Sequence, residues 1–501
     1  MITDFDAIVI GGGHNGLVAA AMLARKGLKT ILLEARSHLG GLVGDDAFRV
    51  APLPHGLHPQ VARTLGIDLA MKPVETVTAV AGREPLRVSG GTVTGASTGD
   101  AARFADMHAR LARQAAALSG MITREPPGFG SNGWGQLLAL GKTALKLRGL
   151  GKSELRELMR IALSNVADLA SDELGDMSDG GALAGMLALD ATLGGAMGPR
   201  SPGTVLPLLW RMAAESGFGK GVRAMPTGGP QALVQALSDA ASRAGVQVHM
   251  DARVAAILVE QDRVAGVRLE SGKIVRAPRI VSGAAPGPTL LGLLGVKHLD
   301  AEFVRRCRTV ANNGMVARID FDLKDIPLAV GSTRLEDHHR LVVAPDIAMV
   351  ERAFNRAKYG DVPDAPPLEA HLDSARGRLE VSVQFVPAKA KWSDKMRKSL
   401  EEAVLAQLAT ALTDIRRLVR SSRIMTPADI EMEYFLPGGH WHHVEFRVDQ
   451  LLMLRPFDGA AHYRMPVGGL YLCSAATHPG GDISGAPGFN AANVVLADVG
   501  L

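Results

Sequence analysis

Three glycines near the N-terminus have the spacing of a phosphate-binding turn. Gly11, Gly13 and Gly16 fit the pattern G-x-G-x-x-G; the apolar run AIVI precedes them and the Ala- and Leu-rich stretch GLVAAAMLARKG begins at the last of them. Glu34 ends the next apolar run, KTILLE, at about the 20-residue distance expected for such motifs. A strand, a glycine turn, a helix and a second strand ending in an acid predict a βαβ unit that binds a dinucleotide.

Each residue of this motif has a physical role. Gly11 permits the tight turn, Gly13 lets backbone N–H groups approach a pyrophosphate, and Gly16 lets the helix pack against the strand. The helix N-terminus attracts negative charge. The acid would accept hydrogen bonds from a ribose diol and repel a 2′-phosphate, which favours FAD or NAD over NADP. His14 and Asn15 lie inside the turn and are also cofactor-binding candidates, although their side chains could simply cap the helix.

The residues after the acid distinguish FAD from NAD. The stretch EARSHLGG places Ala35 and Arg36 directly after the acid and the pair Gly40–Gly41 a few residues later. It resembles the E-x-R-x-x-x-G-G extension of FAD-dependent amine oxidases and phytoene desaturase-like oxidoreductases. The resemblance implies that the second glycine pair continues along the phosphates and ribityl chain of FAD. In the same family, the valine matching Val254 lays its backbone against the adenine.

The most specific motif lies near the C-terminus. A predicted strand, GLYLCSA, runs into the loop THPGGDISGAPG and then into a helix starting near Gly488. The motif closely resembles the flavin-contacting segment of phytoene desaturases and of the pyridine nucleotide-disulfide oxidoreductase domain-containing protein type 2 group. The resemblance places this loop beside the isoalloxazine and ribityl chain, with Gly481, Asp482, Ile483 and Ser484 as cofactor-binding candidates.

A histidine-rich segment, GGHWHHVEFRVDQLLMLRP, precedes that motif and also resembles this group. His443, Asp449, Gln450, Arg455 and Pro456 fall on its G-x-x-x-H…D-Q…R-P pattern, whereas His440, Trp441 and His442 depart from it. Strand alternation would put His440 and His442 on one face, but no third metal ligand has suitable spacing, and Glu445 is expected on the side of His443. We therefore predict no metal. His443 is the candidate catalytic residue, as a polar group over the flavin, and a structural histidine is the alternative.

Composition excludes several classes of protein. The net charge is only +4 over 501 residues, which argues against nucleic-acid binding. Cys307 and Cys473 are too far apart in sequence to suggest a dithiol relay. There is neither a signal-peptide pattern nor a run of 18 apolar residues, so a cytoplasmic protein is expected. One segment interleaves leucines with the basic residues Lys142, Lys146, Arg148 and Lys152. A solvated face of a helix is the favoured interpretation, and peripheral membrane contact is the alternative. The sequence leaves open whether the chain forms a homo-oligomer.

The elements that would position these residues indicate an α/β fold. A Rossmann-type FAD-binding domain of the glutathione reductase-like class is expected to be interleaved with a sheet-plus-helix substrate domain and a helical cap region. The FAD-binding parts are assigned to residues 1–75, 221–295 and 461–501. The substrate and helical cap region is assigned to 76–220 and the substrate domain to 296–460. Hairpin turns are expected at Gln261–Asp262 and Ser271–Gly272, and a continuous helix over SLEEAVLAQLATALTDIRRLV.

These observations predict an FAD-dependent oxidoreductase. The expected reaction, by resemblance, is desaturation or dehydrogenation of a largely apolar small molecule by hydride transfer to flavin N5, with reoxidation by oxygen, a quinone or another acceptor. Such chemistry requires little from side chains, which fits the lack of a catalytic triad or paired carboxylates. The alternatives are a flavin amine oxidase acting on a C–N bond and a non-catalytic flavoprotein with an interaction role.

Overall fold

A computed structural model describes residues 4–44, 48–51, 57–80, 82–126, 148–176, 181–214, 221–330 and 334–501. The strands, in chain order, are β1 Ala7–Ile10, β2 Thr30–Leu33, β3 Met71–Pro73, β4 Glu75–Thr78, β5 Leu86–Ser89, β6 Thr92–Thr94, β7 Ala224–Pro226, β8 Gln247–His249, β9 Val254–Glu260, β10 Arg263–Leu269, β11 Ile274–Arg276, β12 Ile280–Ser282, β13 Val316–Leu323, β14 His339–Val343, β15 Leu368–Asp373, β16 Arg378–Gln384, β17 Val419–Met425 and β18 Leu470–Leu472.

The helices are α1 His14–Arg25, α2 Pro59–Leu65, α3 Thr98–Leu118, α4 Gly151–Leu163, α5 Val166–Leu174, α6 Ala182–Thr192, α7 Val205–Ala214, α8 Gly229–Arg243, α9 Ala301–Thr309, α10 Ile347–Lys358, α11 Asp394–Ala409, α12 Ile415–Leu418, α13 Pro427–Tyr434 and α14 Ala486–Asp498. A π-helical segment spans Pro288–Gly295. Together with the sheets, these helices give the mixed α/β architecture that the sequence predicts.

The N-terminal motif is part of a parallel five-stranded sheet with the order β18-β12-β1-β2-β8. Its residues alternate between two apolar cores, because successive side chains of a strand point to opposite faces. Ala7 and Val9 pack on the side of α1, α8 and α14, whereas Ile8 and Ile10 pack on the side of β9–β11. The sheet is therefore covered on both faces, as parallel sheets require.

A second sheet has eight strands in the order β17-β13-β16-β15-β14-β4-β5-β6, antiparallel except for the pair β14–β4. One face is apolar and packs against α11 through Leu400, Val404 and Leu408. The opposite face is buried and polar; it carries Arg318, Asp320, Arg340, Glu369, His371, Glu380, Ser382 and Gln384. Because buried polar groups need partners, this face needs complementary groups from the elements that cover it.

Helices α3–α7 form an apolar cluster beside this sheet, as expected for the helical region. The hairpin β9–β10 turns through Gln261 and Asp262, whose φ angles are 50° and 58°, and the next turn uses Gly272 with φ 85°. Both predicted turns are confirmed. The prediction of one continuous helix over SLEEAVLAQLATALTDIRRLV is wrong, because α11 ends at Ala409 and the short helix α12 is followed by strand β17.

Part of the basic helical segment lies outside the described residues. Lys142 and Lys146 belong to residues 127–147, so the prediction about this segment stays a prediction. Within the described ranges, no helix combines the length and the apolar character needed to cross a membrane. The domain boundaries assigned from the sequence also stay predictions.

Candidate functional site

The glycine turn lies at the carboxyl end of β1. Gly11 has φ +94°, and a Cβ on Gly16 would lie 2.0 Å from the carbonyl oxygen of Gly11, so the close approach requires glycine. A Cβ on Gly13 would meet nothing within 4 Å. Helix α1 begins at His14 without a side-chain cap, so the interpretation of His14 and Asn15 as capping residues is wrong.

Glu34 is positioned by backbone N–H groups at the end of β2. Its Oε2 accepts a hydrogen bond from the Gly12 amide at 2.5 Å, and its Oε1 accepts one from the Arg36 amide at 2.8 Å. Ala35 and Arg36 lie beside it on the wall of a cavity. The guanidinium of Arg36 stacks over the Tyr434 ring at 4.3 Å and pairs with Glu433. These contacts fix the segment after the strand.

The second glycine pair packs directly on the first turn. Gly40 has φ +106° and its amide donates to the carbonyl of Gly12 at 2.9 Å. A Cβ on Gly41 would lie 3.2 Å from the Cα of Gly13. Both glycines line the cavity, so the two glycine motifs, well separated in sequence, form one backbone surface.

The cavity has a volume of about 290 Å³ and lies at the carboxyl edge of the parallel sheet. Ile10, Leu33 and Gly283 mark the ends of three neighbouring parallel strands on its wall. This edge is where open α/β sheets bind nucleotides. Val254, the first residue of β9, is also on the wall.

The C-terminal motif contributes only part of the predicted contacts. Asp482 and Ile483 line the cavity, and helix α14 begins directly after, at Ala486. Gly481 and Ser484 do not line it. A Cβ on Gly481 would face Phe446 at 3.3 Å, and the Ser484 hydroxyl accepts a hydrogen bond from the Ala486 amide at 3.2 Å. In this structure, these two residues shape the loop.

The histidine-rich segment is a turn, so the prediction that His440 and His442 alternate along a strand is wrong. The two rings nevertheless lie 5.7 Å apart. Glu445 lies beside His440, with Oε2 3.6 Å from the ring Nε2, rather than on the side of His443. Among the described residues, no group of three or more His, Cys, Asp or Glu side chains is arranged to hold a metal.

Of the histidines on the cavity wall, His442 is buried and His14 and His443 are partly buried, and all three are uncharged at neutral pH. Burial lowers the pKa of His14 and of His442 to about 4, and that of His443 to about 3. His443 has φ +65° and its Nδ1 has no hydrogen-bond partner. It can therefore donate or accept a hydrogen bond toward a ligand, but it does not store a proton at neutral pH.

Arg455 joins the histidine turn to the C-terminal motif. It is fully buried and donates hydrogen bonds to the carbonyls of Glu445, Gln450, His442 and Ala475. Burial lowers the pKa of its guanidinium to about 9. Gln450 also helps to hold this segment in place, because its side-chain amide accepts a hydrogen bond from the Ala311 N–H and donates one to the Ala311 carbonyl. Asp449, in contrast, pairs with Arg447 at the surface.

The inner end of the cavity is the part of its wall formed by Arg211, Arg223, Glu369, His442, His443 and Asp482. An ion network that includes four of these residues was not predicted. We define the buried ion network as Asp190, Arg211, Arg223, Arg340, Glu369 and Asp482. Arg340 donates to Asp190 at 2.7 Å and to Glu369 at 2.6 Å, and Arg223 donates to Asp190 at 3.2 Å. Arg211 donates to the carbonyls of Asp190 and Leu193 and lies 3.7 Å from Asp482. The sequence feature that could have indicated this network is a single charged residue inside an apolar run, such as Arg211 in LLWRMAA.

The two cysteines do not form a redox-active pair. Cys307 and Cys473 are both buried and free. Burial raises the pKa of their thiols to about 11 and about 12, which suppresses thiolate formation. His478, within the C-terminal motif, donates from Nε2 to the carbonyl of Met121 at 2.9 Å, which is a loop-stabilising contact.

Comparisons with known proteins find relatives over nearly the whole chain. Residues 9–66 match the family described as NAD(P)-binding Rossmann-like domain. The chain is 27% identical to pyridine nucleotide-disulfide oxidoreductase domain-containing protein 2 of Mus musculus, over 99% of this chain and 94% of that protein. It is 24% identical to one of the subunits of limonene dehydrogenase from Castellaniella defragrans (99% and 95%) and 26% identical to hydroxyneurosporene desaturase of Cereibacter sphaeroides (98% and 97%).

Solved structures share the fold. A triple mutant of putrescine oxidase superposes with a TM-score of 0.58 at 15% identity, covering 99% of each chain. Cyclohexylamine oxidase from Brevibacterium oxydans gives a TM-score of 0.56 at 14% identity, covering 99% of this chain and 100% of that one. The predicted resemblance is confirmed: the chain has a Rossmann-like domain, is similar over nearly its whole length to pyridine nucleotide-disulfide oxidoreductase domain-containing protein 2 and to hydroxyneurosporene desaturase, and shares the fold of putrescine oxidase.

Proposed function

We propose that the chain is an FAD-dependent oxidoreductase that desaturates or dehydrogenates an organic, largely apolar substrate. The observation that carries the proposal is one continuous cavity. Its wall includes Glu34 after β2, the glycine turn at the start of α1, and Asp482, Ile483 and His443. A single cavity lined by both glycine motifs and by the C-terminal motif fits an extended dinucleotide that carries a reactive ring.

The wall residues fit FAD by their chemistry. The open space beside Gly13 leaves room for a pyrophosphate at the N-terminus of α1. The carboxylate of Glu34 suits a ribose diol. Buried polar atoms without hydrogen-bond partners lie on the same wall: Nε2 of His14, Oδ1 of Asn15 and Nδ1 of His443. Because such atoms are costly when unpaired, a polar ligand would stabilise them.

The protein would bind, orient and shield the reacting groups. When bound, FAD supplies a hydride acceptor at flavin N5. His443 and His442 are uncharged near the inner end of the cavity, so they would offer hydrogen bonds without a net charge. Arg455 would hold the histidine turn and the C-terminal loop together. Oxygen, a quinone or another acceptor would then take the electrons.

The names of the relatives agree with this chemistry. Limonene dehydrogenase and hydroxyneurosporene desaturase, whose matching chains are similar over nearly the whole length, are named for dehydrogenation and desaturation. Amine oxidation is the second candidate, since putrescine oxidase and cyclohexylamine oxidase share the fold and Trp441 lies on the cavity wall. It is less favoured because the carboxylates of Glu369 and Asp482 lie within the buried ion network beside arginines.

The test is the optical spectrum of the flavin. Purified protein, or protein reconstituted with FAD, should show the visible absorption of an oxidised flavin. Anaerobic addition of terpenoid or other hydrocarbon-rich substrates should bleach it, and amines should not. Bleaching by amines alone would favour the second candidate, and a bound flavin that no substrate or reductant bleaches would favour a non-catalytic flavoprotein.

A further inference from the structure

Arg455 differs from the other completely buried arginines of the described chain. Arg318 and Arg340 each have a carboxylate oxygen within 3.5 Å, on Asp320 and on Asp190 respectively. Arg455 is buried to the same extent, yet among the residues that the structure describes it forms no ion pair. A buried charge without a partner of opposite sign is costly, so this arrangement needs a compensating interaction.

Neutral carbonyl groups surround the guanidinium of Arg455. Its two terminal nitrogens donate hydrogen bonds to the carbonyls of Glu445, Gln450, His442 and Ala475. These carbonyls satisfy the N–H groups but carry no net charge, so they leave the positive charge in place. Burial lowers the pKa of the guanidinium only to about 9, which keeps it protonated at neutral pH.

The carboxylate of Glu445 acts on Arg455 through space but is held by groups away from the main cavity. Its negative charge raises the pKa of Arg455 against the effect of burial. Its Oε2 accepts a hydrogen bond from the Ala196 amide at 3.2 Å and lies 3.6 Å from Nε2 of His440. Glu445, Ala196 and His440 are not on the wall of the main cavity.

The guanidinium of Arg455, in contrast, lies one residue behind that wall. It donates to the carbonyl of His442 at 3.3 Å and to that of Ala475 at 2.8 Å, and both residues line the main cavity. The positive charge is therefore held by the wall itself, whereas the negative charge of Glu445 is held elsewhere. Electrostatic interactions across such a buried, water-poor region are stronger than they are in water.

The proposed reaction adds negative charge inside the cavity. A C–H bond of the substrate breaks with its electron pair, the hydride forms a bond to flavin N5, and the neighbouring carbon releases a proton to solvent as the double bond forms. Two electrons thus pass to the flavin, whose ring gains one negative charge. A fixed cation nearby stabilises a charge that develops in this way. An apolar substrate has no nitrogen lone pair to assist the loss of hydride, so it needs a strong acceptor.

We propose that Arg455 raises the reduction potential of the bound flavin by stabilising, across the cavity wall, the negative charge that the ring gains. This inference rests on the proposed function, because it requires a flavin in the main cavity. Arg455 is a positioning residue in this role: it touches neither cofactor nor substrate, and its hydrogen bonds hold the wall while its charge acts beyond it.

The test is the reduction potential of FAD-loaded protein, measured by anaerobic titration against a redox dye. Arg455→Gln and Arg455→Lys both lose the fork of the guanidinium and both keep a hydrogen-bond donor, but only Arg455→Gln loses the charge. The equilibrium constant for flavin reduction should fall about tenfold or more in Arg455→Gln, a potential lower by about 30 mV for a two-electron couple. Arg455→Lys should stay near the wild type. Equal potentials in the two variants would overturn the proposal.

Two further variants make the sign of the effect decisive. Glu445→Gln keeps an acceptor for the Ala196 amide but removes a negative charge, so the potential should rise. Arg447→Gln removes an exposed charge from the same segment, where water screens it, and the potential should not change. If Arg455→Gln does not fold, Glu445→Gln still decides, because an unchanged or lower potential in that variant would contradict the proposal.

The measurement separates this inference from the proposed function because it needs no substrate. Loaded protein that is bleached by substrates but whose potential ignores the charge at Arg455 would refute this inference alone. A potential that follows the charge supports the inference even if no tested substrate bleaches the flavin. Protein that cannot be loaded with FAD would refute both.

Discussion

The two ends of the main cavity are built in different ways. The nucleotide end is formed by backbone: the glycines of two turns approach each other within van der Waals distance, and Glu34 accepts hydrogen bonds from two amides. The inner end is formed by side chains that come from distant segments, among them Arg211 on α7, Glu369 on β15 and His443 in a turn. One end depends on local geometry and the other on long-range packing.

This difference indicates what each end does. Backbone N–H groups and a helix N-terminus recognise a pyrophosphate whatever the rest of the molecule is. Under the proposed function, paired charges and uncharged histidines would instead set which molecule fits beside the reactive ring. Substitutions at the nucleotide end should therefore change cofactor affinity, whereas substitutions at the inner end should change reaction rate and substrate preference.

The largest effect is expected at the first glycine turn. Gly16→Ala would place a Cβ 2.0 Å from the carbonyl oxygen of Gly11, so the strand and helix must separate. We expect FAD to be lost on gel filtration and the free energy of unfolding to fall by about 1–3 kcal/mol. Gly99→Ala in α3, where a Cβ meets nothing within 4 Å, is the control and should keep both properties. Retention of FAD by Gly16→Ala would contradict the close packing.

The second prediction concerns acid stability, which should reflect the histidines in and around the main cavity. Burial lowers the pKa of His14, His442 and His478 to about 4 and that of His443 to about 3, from about 6.5 in the unfolded chain. Between those values the unfolded chain binds more protons, so the free energy of unfolding must fall as the pH drops below 6.5.

Each such histidine contributes up to about 1.4 kcal/mol per pH unit. Asp320 has the opposite effect on the pH dependence of the free energy of unfolding. Burial raises its pKa to about 7, so the folded state holds one proton that the unfolded chain lacks. Denaturant unfolding of FAD-loaded protein at several pH values from 7 to 5 measures the sum. His443→Gln should reduce the slope by about one proton. Stability that is constant or rises on acidification would be incompatible with uncharged histidines.

A smaller effect is expected for the acid of the nucleotide end. Glu34→Ala removes a charged hydrogen-bond acceptor and should weaken FAD binding about 10- to 100-fold, while the fold is retained. Glu433→Ala is the control, because its partly exposed ion pair with Arg36 contributes little. The measurement is fluorescence titration of the apoprotein with FAD. Equal affinities for Glu34→Ala and the wild type would show that the ribose contact is misassigned.

The smallest effect is expected at His443. Loss of an uncharged hydrogen bond should slow flavin reduction about tenfold in His443→Ala, with FAD content unchanged. Because its pKa is about 3, the wild-type rate should show no titration of His443 between pH 5 and 8. Stopped-flow reduction under anaerobic conditions measures both. An unchanged rate would make His443 a structural residue, and loss of FAD would assign it to the cofactor.

The geometry of the glycine turn could be predicted from the sequence because the turn is local. Gly11, Gly13 and Gly16 share one turn, and their conformations follow from residue type and spacing. The C-terminal motif was located by resemblance, but the division of labour within it was not predicted. Asp482 and Ile483 face the cavity, whereas Gly481 and Ser484 shape the loop, and this depends on contacts with Phe446 and the start of α14.

The inner end could not be predicted because its partners are far apart in sequence. Asp190 and Arg340 are 150 residues apart, and nothing local pairs them. The histidine segment was interpreted as a strand from its alternation, yet His443 has a positive φ and the segment folds as a turn around Arg455. Single charges inside apolar runs were the available signal, since a buried charge requires a partner.

The central claim is that the cavity joining the glycine turn to the C-terminal motif holds FAD. Its most direct test is the identity and stoichiometry of the cofactor released from purified or reconstituted protein, measured by mass spectrometry. We expect one FAD per chain, and none for Gly16→Ala prepared in parallel. Protein that carries no flavin and takes up none on reconstitution, or that binds a nicotinamide dinucleotide instead, would contradict it.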